Sequence, residues 1–156
     1  MEKLITETDK NQNNIIKNLK YEVTIKGNNK YTITAKTGYI LFEDSVEVVF
    51  MENVEAIFTD EDNKKLYVSS KKAKFNSNNY NTFFDGKVEI KYDENIITSK
   101  KLDFNFMDNN ILIYDNVRFS NFDKKLETDN IRIDIITRNI EIFMNELNNN
   151  VKIRSF

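Results

Sequence analysis

The chain has 156 residues, 40% hydrophobic and 31% charged, enough for one domain with a sizeable core. Lys and Arg number 23 against 25 Asp and Glu, a net charge of −2 with both signs interspersed, so the basic footprint of a nucleic-acid binder is missing; the doublets Lys71-Lys72 and Lys100-Lys101 read as solvated strand ends. With no Cys and no His there is no disulfide framework, no thiol chemistry, no imidazole base and no imidazole metal ligand.

In chain order, residues 1–18 read as a flexible polar lead-in, with neither the run of about 18 apolar residues that spans a membrane nor the apolar centre of a signal peptide. Residues 19–156 read as a single domain of strand after strand. Tyr21, Val23 and Ile25 alternate with polar neighbours, turn at Gly27-Asn28-Asn29, and return as Tyr31, Ile33 and Ala35. Short strands follow at Ile40 to Phe42, Val46 to Phe50, Val54 to Phe58, Leu66 to Val68 and Ala73 to Phe75. The stretch Phe83 to Phe106 gives the cleanest pattern: Val88, Ile90 and Tyr92 alternate with Lys87, Glu89 and Lys91, and Leu102, Phe104 and Phe106 with Lys101, Asp103 and Asn105. Period-two alternation marks strands with one apolar and one wet face. Further strands are expected at Ile111 to Ile113, Val117 to Phe119, Leu126 to Thr128, Ile131 to Ile135, Ile140 to Ile142 and Val151 to Ile153. Pro is absent and Gly occurs three times, so Asn, about 15% of residues, supplies the turns through its tolerance of the left-handed region.

Two markers recur with nearly one beat. Small residues stand at Ala35, Ser70, Ser99 and Thr128, and valines after turn-type residues at Val54, Val88, Val117 and Val151. A period of roughly 30 residues means a stacked or rolled array of one supersecondary unit. The fold class expected is all-β: an open β-jellyroll or β-roll of two facing antiparallel sheets with about 14–16 short strands. The inward set includes Ile33, Phe58, Val68, Phe75, Phe84, Ile90, Leu102, Phe104, Val117, Phe119, Ile131 and Ile133. Two outcomes are physically open: a closed, dry structural core, or splayed sheets leaving an apolar trough for a lipid. The last strand, with Val151, Lys152 and Ile153, carries no Pro, and such an edge suits β-augmentation by another protein.

Two other classes are open to these residues. Asp85, Asp93, Glu94 and Asp103 could pair as acid and base in a carbohydrate-active enzyme, but they fall in turns and on wet faces, and a non-enzymatic role is expected. Asp60-Glu61-Asp62 could hold calcium weakly, yet lacks the glycines and spacing of a calcium loop. No metal and no cofactor are expected.

The phrases YTITAKTGYI, LYVSSKKAKF, FFDGKVEIKYDENIITSKKLDFNF, ILIYDNVRF and KKLETDNIRIDI, in this order and spacing from Tyr21 to Ile153, resemble the LptC family of lipopolysaccharide export and its LptA/OstA-like relatives. The resemblance implies an open jellyroll whose inner residues, the twelve named above, receive lipid A acyl chains. It implies a periplasmic location at the inner membrane. It also implies an N-terminal edge (Tyr21, Val23, Ile25) that meets the β-domains of an inner-membrane ABC transporter, and a C-terminal edge (Val151, Lys152, Ile153) that meets an LptA-like bridge protein. The family's N-terminal membrane helix is not in this sequence. The opening resembles LptC more than LptA, so the expectation is a tethering helix upstream. A closed-core structural or adhesive roll without lipid is the alternative.

Overall fold

Apolar residues at every second position can be buried only if successive strands lie side by side with that face turned inward. The computed structural model, which describes residues 2–4, 15–25, 27–145 and 152–155, builds the chain this way. The strands are β1 (Glu2–Leu4), β2 (Ile16–Ile25), β3 (Asn29–Glu43), β4 (Val46–Thr59), β5 (Lys65–Asn76), β6 (Thr82–Tyr92), β7 (Asn95–Asn105), β8 (Asn110–Ser120), β9 (Lys124–Asp134), β10 (Ile140–Phe143) and β11 (Lys152–Ser155). All pairings are antiparallel and follow chain order from β1 to β10, with β11 also pairing β9, in one unclosed sheet. No helix occurs among the described residues. The sheet starts at Ile16, inside the stretch read as lead-in, and Glu2–Leu4 pair with residues 20–22 of β2.

The all-β, open architecture is the one expected, but the count of 14–16 short strands in two sheets is not. The strands are fewer and run up to 15 residues, and a single sheet supplies both facing layers. The reason lies in mid-strand. Burial in β5 falls on Leu66, Val68 and Ser70, then shifts by one to Ala73 and Phe75; in β7 it falls on Ile97 and Ser99, then on Leu102 and Phe104. Register shifts sit at these points, between Ser69 and Lys72, Asp85 and Val88, Thr98 and Lys101, and Tyr114 and Val117. A bulge adds a residue, reverses the phase of alternation and bends the strand. In sequence each bend looks like the end of one strand and the start of another.

The two recurring markers form the line of bending. Leu19 pairs Ala35, Ala35 pairs Val54, Val54 pairs Ser70, Val88 pairs Ser99 and Val117 pairs Thr128, all of them buried. Val151 lies outside the described residues. The hydroxyls explain why Ser recurs: Ser70 Oγ donates to the Lys72 carbonyl at 2.8 Å and Ser99 Oγ to the Lys101 carbonyl at 3.0 Å, while Thr128 Oγ1 has the Phe143 carbonyl of β10 nearer, at 3.2 Å, than that of Asn130, at 3.5 Å. Each serine hydroxyl satisfies a carbonyl beside the interrupted ladder. Asn18, Asn53, Gly86, Lys87, Asp115 and Asn116 take positive φ along the same crease.

The crease divides the sheet into two arms. One inner row runs Tyr21, Ile33, Ala56, Val68, Ile90, Ile97, Phe119 and Leu126 across the first arm. The matching row of the second arm runs Gly38, Met51, Ala73, Phe84, Leu102, Ile113, Ile131 and Ile142. The arms close on each other with an offset: Tyr21 of β2 meets Phe75 of β5 at 4.8 Å between ring centroids, and Tyr31 of β3 and Phe58 of β4 meet Phe104 of β7 at 5.1 and 5.8 Å. Gly38 lets β3 and β4 crowd together beside the crease; a Cβ there would stand 2.7 Å from the Phe50 carbonyl oxygen and 3.1 Å from Leu19 Cδ2.

Candidate functional site: the interior and its openings

The interior between the arms is where the sequence-derived residues converge. Ile33, Phe58, Val68, Phe75, Phe84, Ile90, Leu102, Phe104, Val117, Ile131 and Ile133 are buried, and Phe119 is half-buried against the same core. Val117 lies on the crease and the others on the two arms. Lys101, Asp103, Arg132 and Asp134 alternate with them and are half-buried or exposed. The arms touch along an aromatic cluster: Phe104 stacks on Phe106 at 4.4 Å, and Tyr31 lies 4.7 Å from Phe106.

Two tyrosines enter this apolar space with different outcomes. Tyr31 Oη on the first arm donates to Thr82 Oγ1 on the second at 2.9 Å, and Thr82 Oγ1 donates to the Tyr80 carbonyl at 3.1 Å. Tyr21 Oη is buried and has no hydrogen-bond partner among the described residues. Burial pushes both phenols well above their ordinary range; for Tyr21 the negative charge of Glu47 adds to this, while for Tyr31 the bond to Thr82 opposes it.

Opposite the crease the two rims form a mouth. On the first arm the rim includes the β4–β5 loop, whose Asp60 Oδ1 accepts from the backbone N–H of Asp62 at 2.9 Å and of Lys64 at 3.0 Å. On the second arm it includes the β9–β10 turn, whose Asp134 Oδ1 accepts from the N–H of Ile136 at 2.8 Å and of Thr137 at 2.9 Å. These bonds, from Thr137 first, hold the Asp134 carboxyl below its usual range. Arg138, at φ 66°, reaches from that turn across the mouth to Asp60 Oδ2 at 2.7 Å and to Asp62 Oδ2. Beneath lies a small recess of about 30 Å³ lined by Phe58, Leu66, Tyr92, Ile133 and Ile135.

The two ends of the roll differ. At β2 the inner residues Ile16, Leu19, Tyr21 and Val23 are buried and Ile25 is half-buried. Tyr21 and Val23, expected at a docking edge, therefore spend their side chains on the core, and the outer backbone of β2 is already paired by β1 at residues 20–22, leaving backbone only to either side of that stretch. At the other end, Ile140 and Ile142 of β10 face the same side as Ile133 and Ile131, yet remain 39% and 36% exposed. Beside them β11 pairs β9, with Lys152 opposite Glu127 and Ile153 opposite Leu126.

The acidic residues weighed for other chemistry do not converge. Asp93 and Glu94 are exposed in the β6–β7 turn, at the first-arm rim, whereas Asp85 and Asp103 belong to the second arm. Asp103 accepts from Tyr114 Oη at 3.3 Å, with burial pushing its carboxyl up. Asp60 and Asp62 bind Arg138. Sequence reasoning missed Arg138, Tyr80 and Thr82; a contact spanning 76 residues between two turns carries no local signal.

A family model described as LptC, "Lipopolysaccharide-assembly, LptC-related", matches residues 4–121. No individually curated protein matches the chain.

Proposed function

The chain belongs to the LptC-related family of lipopolysaccharide-assembly proteins, and from that premise we propose that its folded sheet shelters lipid A acyl chains between the two arms and passes the glycolipid onward. A role in lipopolysaccharide assembly follows from family membership. The finer reading is that the protein works on the periplasmic side of the inner membrane, receiving lipid from the β-domains of an ABC transporter at the β2 edge and delivering it to an LptA-like bridge protein at the β10 and β11 edge.

The observation that carries this reading is the inner face itself. Apolar rows cross the whole sheet and end uncovered at Ile140 and Ile142, where a second protein continuing the sheet would continue the floor. Mechanism is then burial without bond chemistry: each CH₂ kept from water is worth about 0.8 kcal/mol. An acyl chain entering a filled interior exchanges side-chain contacts for lipid contacts, so opening about the crease costs packing that the lipid restores. Energy and direction come from the transporter.

The full contact between arms, with Tyr31 and Phe58 against Phe104, favours a second reading, a closed structural roll without ligand. Photo-crosslinking separates the two. With a photoreactive phenylalanine at Phe84, Phe104 or Ile142, lipopolysaccharide should be captured; from the outward positions Glu55 and Lys101 it should not. Equal yields from both faces, or none from any position in a folded protein, would overturn the carrier reading.

A further inference from the structure

The Arg138 bridge lies over the apolar recess and between the two rims, and each of its partners is pre-set by its own turn. Asp60 uses Oδ1 to hold the β4–β5 loop, which leaves Oδ2 for Arg138; Asp134 holds the turn that presents Arg138. Arg138 keeps a backbone conformation that non-glycine residues adopt only at a cost, with its amide donating to the Asp134 carbonyl at 2.8 Å. The two carboxylates are unequal: the Asp60 side chain is 13% exposed and that of Asp62 68%. Asp62 is the partner that water and ions reach first, and release of Asp60 is the step that frees the rims.

We propose that the mouth between the β4–β5 loop and the β9–β10 turn is a lateral entry port for one acyl chain of a phosphorylated amphiphile, with Arg138 as its gate. This rests on the carrier reading above and adds where the lipid enters and what it meets. In the shut state Arg138 ties the rims together through Asp60 and Asp62. In the open state the guanidinium gives up Asp60 as well as Asp62, which frees the rims, and takes the lipid phosphate in the same forked geometry, while the chain enters past Phe58, Leu66 and Ile133. The chemistry selects an anionic headgroup joined to an apolar tail, because the cation stands directly over an apolar slot. Lys64 also lines the recess and adds a second positive charge at the port, alongside the carboxylates of Asp60 and Asp134, so the phosphate must displace Asp60 from Arg138 rather than add to it.

The chain has no cysteine, so a single introduced thiol reports opening without interference. Leu66→Cys places it in the recess; Ser99→Cys places a control on the crease, away from the mouth. Labelling of Leu66→Cys by N-ethylmaleimide should accelerate about tenfold when Arg138→Ala is added, and should accelerate in the parent at about 0.5 M salt through screening. Arg138→Lys should fall between, and Ser99→Cys should label at an unchanged rate throughout. Unchanged Leu66→Cys labelling, or equal acceleration of both thiols, overturns the gate. Uptake of fluorescent lysophosphatidic acid should exceed that of the matching monoacylglycerol about fivefold, a preference that Arg138→Ala removes. A preference that survives Arg138→Ala overturns the phosphate pairing. Failure of the parent to take up either amphiphile, while the thiol responds to Arg138→Ala, overturns the carrier reading and leaves the gate standing.

Discussion

Replacing Tyr31 and Tyr21 by Phe removes the same atom from two equally buried rings and should change stability in opposite directions. Tyr31→Phe deletes the donor of the 2.9 Å bond to Thr82, one of the polar ties between the arms, and such a bond contributes about 1 kcal/mol net. Thr82 keeps its own bond to the Tyr80 carbonyl, so no further orphan is created. Tyr21→Phe removes a hydroxyl that is buried without a partner among the described residues, relieving a desolvation cost of about 1–3 kcal/mol, while the ring stays 4.8 Å from Phe75. For a chain of this length 1 kcal/mol moves the midpoint by roughly 2–4 °C. Thermal and urea unfolding of the two variants should therefore bracket the parent, Tyr31→Phe about 3 °C below and Tyr21→Phe at least as far above. Shifts of the same sign and size in both would refute the assignment of a satisfied and an orphaned hydroxyl.

Gly38→Ala should cost about 1–3 kcal/mol, because the new Cβ would meet the Phe50 carbonyl oxygen at 2.7 Å and a backbone atom cannot swing aside; a neutral variant in urea melts would show the packing of β3 on β4 to be looser than this. Removing residues 149–156 takes away β11 and should abolish capture by an LptA-like partner while the melting temperature moves little; partner binding by the truncated, folded protein would rule out docking at this edge. Tyr114 has its phenol pushed up to about 12, first by burial and then by the Asp103 carboxylate it bonds. Since the folded value lies above the unfolded value near 10, its contribution is complete below pH 10 and is lost as pH rises toward 12; absorbance titration of the parent against Tyr114→Phe should show the missing phenolate step in that upper window, and a step near pH 10 would contradict the bonded geometry.

Alternation makes the inner set readable in the sequence. Phe84, Phe104 and Ile133 face inward because a period of two leaves a strand only two choices of face. What misled was the crease. A reader who sees Ser70-Lys71-Lys72-Ala73 meets a break in phase and ends the strand, whereas the chain bends there and continues. The recurring small residues were visible as a beat, but their meaning, a hydroxyl returned to the carbonyl two residues on, depends on a geometry that spacing does not encode. Arg138 was illegible for another reason. Its partners are 76 and 78 residues away on another turn, and nothing in Ile-Thr-Arg-Asn marks it as more than a solvated cation.

From β1 to β10 each strand pairs with its neighbour in sequence, and the crease residues keep the same place from one hairpin to the next. Duplication of one hairpin, about 30 residues, would therefore add two strand widths, roughly 9–10 Å of floor, without asking any existing strand to change partner. Reach becomes a heritable quantity counted in whole hairpins. A lineage that needed a longer floor could obtain it by copying a segment of its own gene, with selection acting afterwards only on the two ends.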